Sequence, residues 1–353
     1  MKIIKPLYIF LLFSQLCVGQ SRAKKIDSIS HIIHSKNPEV AISIGFIDHG
    51  KEYFFNYGTL SKTSSKKVNE TTIYEIGSIT KLLTANLIAQ AQLEGRLAID
   101  DPIGNYFPSK YKLPKNILET IKISDLGSHQ SGLPDFDFQK LMKSTPKQPL
   151  AITDRILHDI LNDSTSLIDY GNYRYSNISY TILGLILEKV YNKDFAQILQ
   201  EKIVKPAKLK NTLTKLYHVE NRVTGYDIEG KQQDYFIWNH LTAPAGLLKS
   251  NTKDMVKFIK VLISGKNQIA AATKLTERTF YKNTRREIGL GQEMARDNED
   301  LFFYKTGDTF ACSSILTYDK KFEWGMVILV NQHNSDLIRD LINTNYEAVL
   351  KPN

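Results

Sequence analysis

From Tyr74 to Leu93 runs the segment that most constrains the fold: Tyr-Glu-Ile-Gly-Ser-Ile-Thr-Lys, then Leu82, Leu83, Ala85, Leu87, Ile88, Ala89, Ala91 and Leu93 with few polar breaks. A helix that is apolar all round has no face to give to water and must be buried. Ser78 and Lys81 stand at its start, three positions apart, and so share a face on its first turn. A lysine is almost never fully buried without a partner. Two explanations are open: a carboxylate that pairs with it, or a hydroxyl that it helps to deprotonate, with the helix N-terminus favouring the developing negative charge. Spacing alone does not choose between them. Ser-x-x-Lys starts at Ser21, Ser64, Ser78, Ser109, Ser144 and Ser250, and only the Ser78 copy opens an apolar helix; the others read as solvated surface.

The chain of 353 residues is long enough for one large domain or two smaller ones. Lys2 and Lys5 precede an apolar stretch from Pro6 to Leu16, which reads as a secretory signal peptide over residues 1–19. The expected location is therefore periplasmic or secreted. Acylation of Cys17 is the second reading, disfavoured by the large Leu16 before it. No later stretch reaches the roughly 18 apolar residues of a membrane helix, so no membrane span is expected after removal of the signal. Cleavage would leave Cys312 alone, in an apolar run, which gives neither a disulfide framework nor a cysteine metal site. His31 and His34, three apart on the first helix, read as surface histidines rather than a metal pair. The net charge of +9 is spread over lysines interleaved with acids, and the basic clusters at Arg22–Lys25 and Lys62–Lys67 are short. Nothing in that pattern points to a nucleic-acid partner, although an exported basic protein can associate with anionic envelope polymers.

Residues 21–36 have helical spacing, and Val40–Ile47 with Tyr53–Tyr57 form a hairpin around Asp48-His49-Gly50-Lys51. Residues 80–205 are mostly helical, with a helix pair over 178–204 and a Gly/Pro loop at 128–134. Asn251-Thr252 caps a helix from Lys253 to Ile263 that stops at Gly265. The pattern then turns to strands at Leu301–Tyr304, Ala311–Thr317 and Phe322–Val330, and ends in a helix over Ser335–Leu350. The fold class is therefore α/β of the α+β kind. An antiparallel sheet, flanked by helices, is built from both chain ends (about 21–80 and 240–350) and carries an inserted, mostly helical lobe (about 80–240). A cleft between the two is the natural site.

Two further motifs suit that cleft. Tyr175-Ser176-Asn177 precedes a helix, and Lys305-Thr306-Gly307 occurs once, at the end of a β-rich run where a glycine lets another backbone come close. With Ser78-x-x-Lys81 ahead of them, and with His129-Gln130-Ser131-Gly132-Leu133-Pro134, Leu183-Gly184 and Pro244-Ala245-Gly246-Leu247 alongside, the chain from about residue 40 to 345 resembles the serine β-lactamase and penicillin-binding protein superfamily. Within it, the resemblance is to the branch of class C β-lactamases, D-Ala-D-Ala carboxypeptidases and esterases.

That resemblance implies roles. Ser78 is the acylated nucleophile; Lys81 and Tyr175 act together as base and then acid. Asn177 orients substrate and Lys81, while Lys305, Thr306 and Gly307 form the substrate-binding strand. Lys305 is expected to bind a substrate carboxylate and, with Lys81, to keep Tyr175 anionic. The backbone N–H groups of Ser78 and Asp308 form the oxyanion hole. No metal or other cofactor is implied. The substrate class is a small molecule or peptide, of D-Ala or β-lactam type, with peptidoglycan a candidate source; small acyl esters, or a catalytically inactive binding protein on the same fold, are the alternatives. The chain departs from the pattern at Asp308, where a small residue is usual and a carboxylate would repel an anionic substrate. His129 reads as a residue that packs its loop.

Overall fold

The computed structural model describes residues 21–137, 153–162, 166–212, 220–297 and 300–351. The expected leader at 1–19 lies outside the described residues.

Helix α1 (Arg22–Ser35) leads into strands β1 (Ile42–Asp48) and β2 (Lys51–Tyr57). Asp48 pairs with Lys51, so the hairpin closes over His49 and Gly50, both left-handed (φ 47° and 80°), the backbone that a two-residue turn between twisted strands needs. After the short β3 (Tyr74–Glu75) come α2 (Thr80–Leu93), α3 (Lys115–Thr120), α4 (Ile123–Gly127), α5 (Asp154–Asn162), α6 (Asn177–Tyr191) and α7 (Phe195–Leu199). Short strands β4 (Gly225–Tyr226), β5 (Gln232–Gln233) and β6 (Lys249–Ser250) surround α8 (Ala243–Gly246), and α9 (Thr252–Ser264) and α10 (Gln268–Thr276) follow. The chain returns through β7 (Tyr281–Lys282), β8 (Glu287–Ile288), β9 (Glu293–Asp297), β10 (Asp300–Asp308), β11 (Ser313–Asp319) and β12 (Trp324–Val330) to α11 (Ser335–Asn345).

The main sheet has the order β2-β1-β12-β11-β10-β9-β8-β7, and its pairs are all antiparallel. As expected, the first hairpin joins the last strands: β1 pairs with β12 from Ile42↔Val330 to Asp48↔Trp324. Every residue of β11 and β12 is buried, because helices cover both faces. Ile26 and Ile33 of α1 and Leu337 and Leu341 of α11 pack with Ile44, Phe46 and Ile328 on one face. Val256 and Ile259 of α9 join Leu316, Val327 and Leu329 in the larger core on the other.

Helix α2 is buried from Thr80 to Ala91, and each buried Leu or Ile contributes about 1.5–3 kcal/mol by leaving water. Its few polar residues serve as ties. Asn86 Nδ2 donates to Ile269 O (2.9 Å) and Thr273 Oγ1 (3.1 Å), locking α2 to α10. Helix α10 and the two-residue strands β7 and β8 lie where the sequence pattern pointed only to strands from Leu301 onward. The Ala-rich run Ile269–Ala272 is too short to show a helical period, and two-residue strands have none.

Candidate active site

Ser78 sits in a single 3-10 turn, Gly77–Ile79, directly before α2 rather than on the helix itself. Gly77 is left-handed (φ 50°), and Thr80 Oγ1 closes the turn on Gly77 O at 2.7 Å. Strand β10 runs hard against this turn. A methyl group on Gly77 would come 2.7 Å from Asp308 N, and one on Gly307 would come 2.2 Å from Ile76 O and 2.9 Å from Ser78 N. Both glycines are thus needed for backbone contact, and the contact brings the amides of Ser78 and Asp308 to one place. Strand β9 pairs with β10 only as far as Tyr304, so Lys305–Asp308 project past it as a strand edge.

Around Ser78 Oγ the side chains form a chain of hydrogen bonds. Tyr175 OH lies 2.5 Å away and Lys81 Nζ 3.1 Å away. Lys81, fully buried, also donates to Ala245 O (2.6 Å) and Asn177 Oδ1 (2.9 Å). Ala245 is brought to it because Gly184 on α6 has no side chain: a methyl there would lie 2.2 Å from Pro244 Cγ. Burial, helped by the positive charge of Lys305, pulls the Lys81 pKa well below its ordinary value, with Asp135 opposing. Two of its partners can only accept, whereas the third, the serine hydroxyl, can donate. That set fits a neutral amine with its lone pair on Ser78.

Tyr175 departs from expectation. The cavity walls desolvate its phenol and raise it above the ordinary tyrosine range, although 36% of the residue's surface stays exposed; the Ser78 hydrogen bond opposes, and Tyr173, Asp135 and Glu293 add to the rise. The direction is opposite to the anion expected from the flanking lysines. The two lysine nitrogens stand over its ring, each 4.9 Å from the centroid. His129 stacks on the same ring (4.5 Å between centroids, 36° between planes). Its Nδ1 accepts from Ser176 N at 3.2 Å, and burial drives its pKa well down, so His129 is a neutral packing residue, as its loop suggested.

Lys305 is likewise buried, at 2% exposure, with Glu293 Oε1 4.0 Å from its ammonium. Glu293 also takes Arg286 at 2.7 Å, and Arg286 lies over the Tyr173 ring. The positive charge expected to greet a substrate carboxylate therefore has a carboxylate beside it already. Thr306 and Asp308 are exposed on the other face of β10. These groups line a cavity of about 540 Å³ with Phe136, Phe236, Phe310 and Leu247. Among the described residues no cluster of His, Cys, Asp and Glu could hold a metal, and no helix is long and apolar enough to cross a membrane.

Two supports escaped sequence reasoning. Asp135 accepts from Asn177 N (2.9 Å), Asn177 Nδ2 (3.2 Å) and Ile178 N (3.1 Å), and so caps α6 from outside and fixes the amide that holds Lys81. Only its place beside the Gly-Leu-Pro turn hinted at a role. Asp135→Ala is expected to cost about 1–2 kcal/mol, read as a lower urea midpoint at unchanged slope. The second is the buried pair of Glu75 and Lys249, 3.5 Å apart and 2% exposed on each side, directly opposed across β3 and β6. Glu75 Oε1 accepts from Phe236 N (2.7 Å) and Lys249 Nζ donates to Phe236 O (2.6 Å), so the pair holds a cavity wall against the serine strand. Glu75→Gln takes the carboxylate from a buried lysine and is expected to destabilise by about 3–5 kcal/mol in chemical denaturation.

A helix-flanked antiparallel sheet that seats a serine turn against a Lys-Thr-Gly strand, with a lysine and a tyrosine converging on the hydroxyl, defines the serine β-lactamase and penicillin-binding superfamily. The sequence profile of the Beta-lactamase family matches residues 35–350, and the chain belongs to that family. It is similar to Protein flp of Staphylococcus aureus strain MW2, 26% identical over 333 residues that cover 90% of this chain and 65% of that protein. It is also similar to a Beta-lactamase of Providencia stuartii, 25% identical over 240 residues, 67% of this chain and 59% of that one. The chain thus spans less than two thirds of the length of these relatives. Among solved structures, a class C beta-lactamase superposes with a TM-score of 0.82 at 20% identity, covering 94% of this chain and 97% of that one. A Beta-Lactamase/D-Alanine Carboxypeptidase from Pseudomonas syringae superposes with a TM-score of 0.81 at 21% identity, covering 94% and 99%. At these identities the likeness is one of fold.

Proposed function

We propose that the protein is a serine hydrolase that works through an acyl-enzyme on Ser78. The observation that carries this reading is the Lys81–Ser78–Tyr175 contact, with Lys81 Nζ 3.1 Å and Tyr175 OH 2.5 Å from Ser78 Oγ. Lys81, its pKa lowered by burial, takes the Ser78 proton as Oγ attacks the substrate carbonyl. The oxyanion that forms accepts hydrogen bonds from the Ser78 and Asp308 amides. Tyr175, protonated in the free enzyme, delivers a proton to the leaving group, and the proton that Lys81 took from Ser78 then restores the phenol. Water then attacks the acyl-enzyme with the roles reversed.

D-Ala-type peptides and β-lactams are the substrates that family membership favours. Small acyl esters are the second reading, favoured by the aromatic cavity walls and by the exposed carboxylate of Asp308. An inactive binding protein would have no need of so complete a proton path. Export, and peptidoglycan as the substrate's source, belong to the same proposal and rest on residues 1–19 and on the family. The test is intact-mass spectrometry after brief exposure to a penicillin, beside Ser78→Ala. A lasting adduct that needs Ser78 marks a penicillin-binding carboxypeptidase, and Ser78-dependent hydrolysis without adduct marks a β-lactamase. If neither occurs and Ser78-dependent hydrolysis of esters is also absent, the hydrolase reading falls.

A further inference from the structure

Strand β10 presents two different faces to the cavity. Side chains alternate along a strand, so Lys305 and Gly307 turn towards the serine while Thr306 and Asp308 stand together on the exposed face. The register confirms the placement of Asp308: it is directly opposite Ser313 on β11, and the Ser313 hydroxyl donates to Asp308 Oδ1. Ser335, the first residue of α11, donates to the same oxygen at 3.0 Å. The carboxylate is therefore fixed in place by two hydroxyls on one oxygen, and among the described residues no lysine or arginine pairs with it. The contrast with the neighbouring charges is informative. Glu293 stands between Arg286 and Lys305, and Lys81 is pulled towards neutrality. The charge that stands uncompensated beside the oxyanion amides is the negative one of Asp308.

We propose that Asp308 is a specificity residue that selects substrates carrying a positively charged group, an alkylammonium, on the part that lies along the Thr306–Asp308 face, and that rejects a carboxylate there. The inference rests on the acyl-enzyme reading of the site and narrows its substrate class. A substrate segment that reaches the Thr306 hydroxyl also meets the carboxylate two residues on. A fixed charge in a partly enclosed site raises the preference for a cation over an anion placed beside it.

The experiment uses phenylacetyl esters of one alcohol skeleton that ends in a trimethylammonium, an uncharged tert-butyl or a carboxylate group. The readout is the ratio of kcat/KM for the cationic ester to that for the anionic one, which is internal to each enzyme and independent of its absolute rate. The wild type is expected to favour the cation. Asp308→Asn keeps a carbonyl for Ser313 and Ser335 but removes the charge, and is expected to lower the ratio about 100-fold; Asp308→Ser is expected to do the same. A ratio that stays within about 3-fold of wild type in folded Asp308→Asn overturns the proposal. Failure of the hydrolase reading is distinct: the uncharged ester would then show no turnover that depends on Ser78, whatever stands at 308.

Discussion

Replacing Lys81 by methionine is expected to lower the acylation rate of Ser78 by about 1,000-fold while the protein still folds. Methionine is of similar length but cannot take a proton. The buried amine donates to Ala245 O and Asn177 Oδ1, which leaves its lone pair for the serine hydroxyl at 3.1 Å. Burial and the charge of Lys305 lower the amine's pKa. The sign follows: the free base is populated above that lowered pKa, so kcat/KM is lost as pH falls through it, about tenfold per unit. At the alkaline end the raised Tyr175 phenol keeps its proton beyond the range of an ordinary tyrosine, so the acid for the leaving group persists there. In Lys81→Met the acid limb should vanish with the rate. A loss of less than about 10-fold, or an unchanged acid limb, would place the base elsewhere.

Gly307→Ala is the second large effect, and it acts without touching a catalytic side chain. The added methyl would lie 2.2 Å from Ile76 O, 2.6 Å from Ser314 Oγ and 2.9 Å from Ser78 N. Two of these are backbone atoms of the serine segment, so β10 must retreat and carry the Asp308 amide away from the Ser78 amide, its partner in the proposed oxyanion hole. Loss of one such donor lowers kcat by about 100- to 1,000-fold. The expected signature is a fall in kcat that exceeds any rise in KM, because the ground-state carbonyl needs that amide less than the oxyanion does. Activity within about 3-fold of wild type would show that the close approach at Gly307 serves packing alone.

Much of this site can be read from the chain because its chemistry is carried by short motifs. An apolar helix with a lysine at its start demands a partner, and the structure brings Ser78, Tyr175 and Asn177 to Lys81. The sheet was legible for a similar reason: β1, β11 and β12 are long enough to show their apolar character. Other features depend on distances that no local pattern encodes. Asp135 meets the start of α6 from 42 residues upstream, and Glu293 meets Lys305 across two strands. The protonation of Tyr175 was misjudged on charge alone. Two lysines nearby suggest an anion, but loss of water around the phenol opposes it, and both lysine nitrogens face the ring instead of bonding to the phenol oxygen. Asp308 was visible as an oddity, yet only the register with Ser313 and the bond from Ser335 show where its carboxylate is held.

The most direct measurement of Ser78 as an activated nucleophile is labelling of the folded protein with a fluorophosphonate probe, followed by peptide mass spectrometry. The expected result is a single adduct on the peptide that contains Ser78, absent after denaturation or in Ser78→Ala and strongly reduced in Lys81→Met. No adduct in folded wild-type protein, or an adduct on another serine, would contradict it.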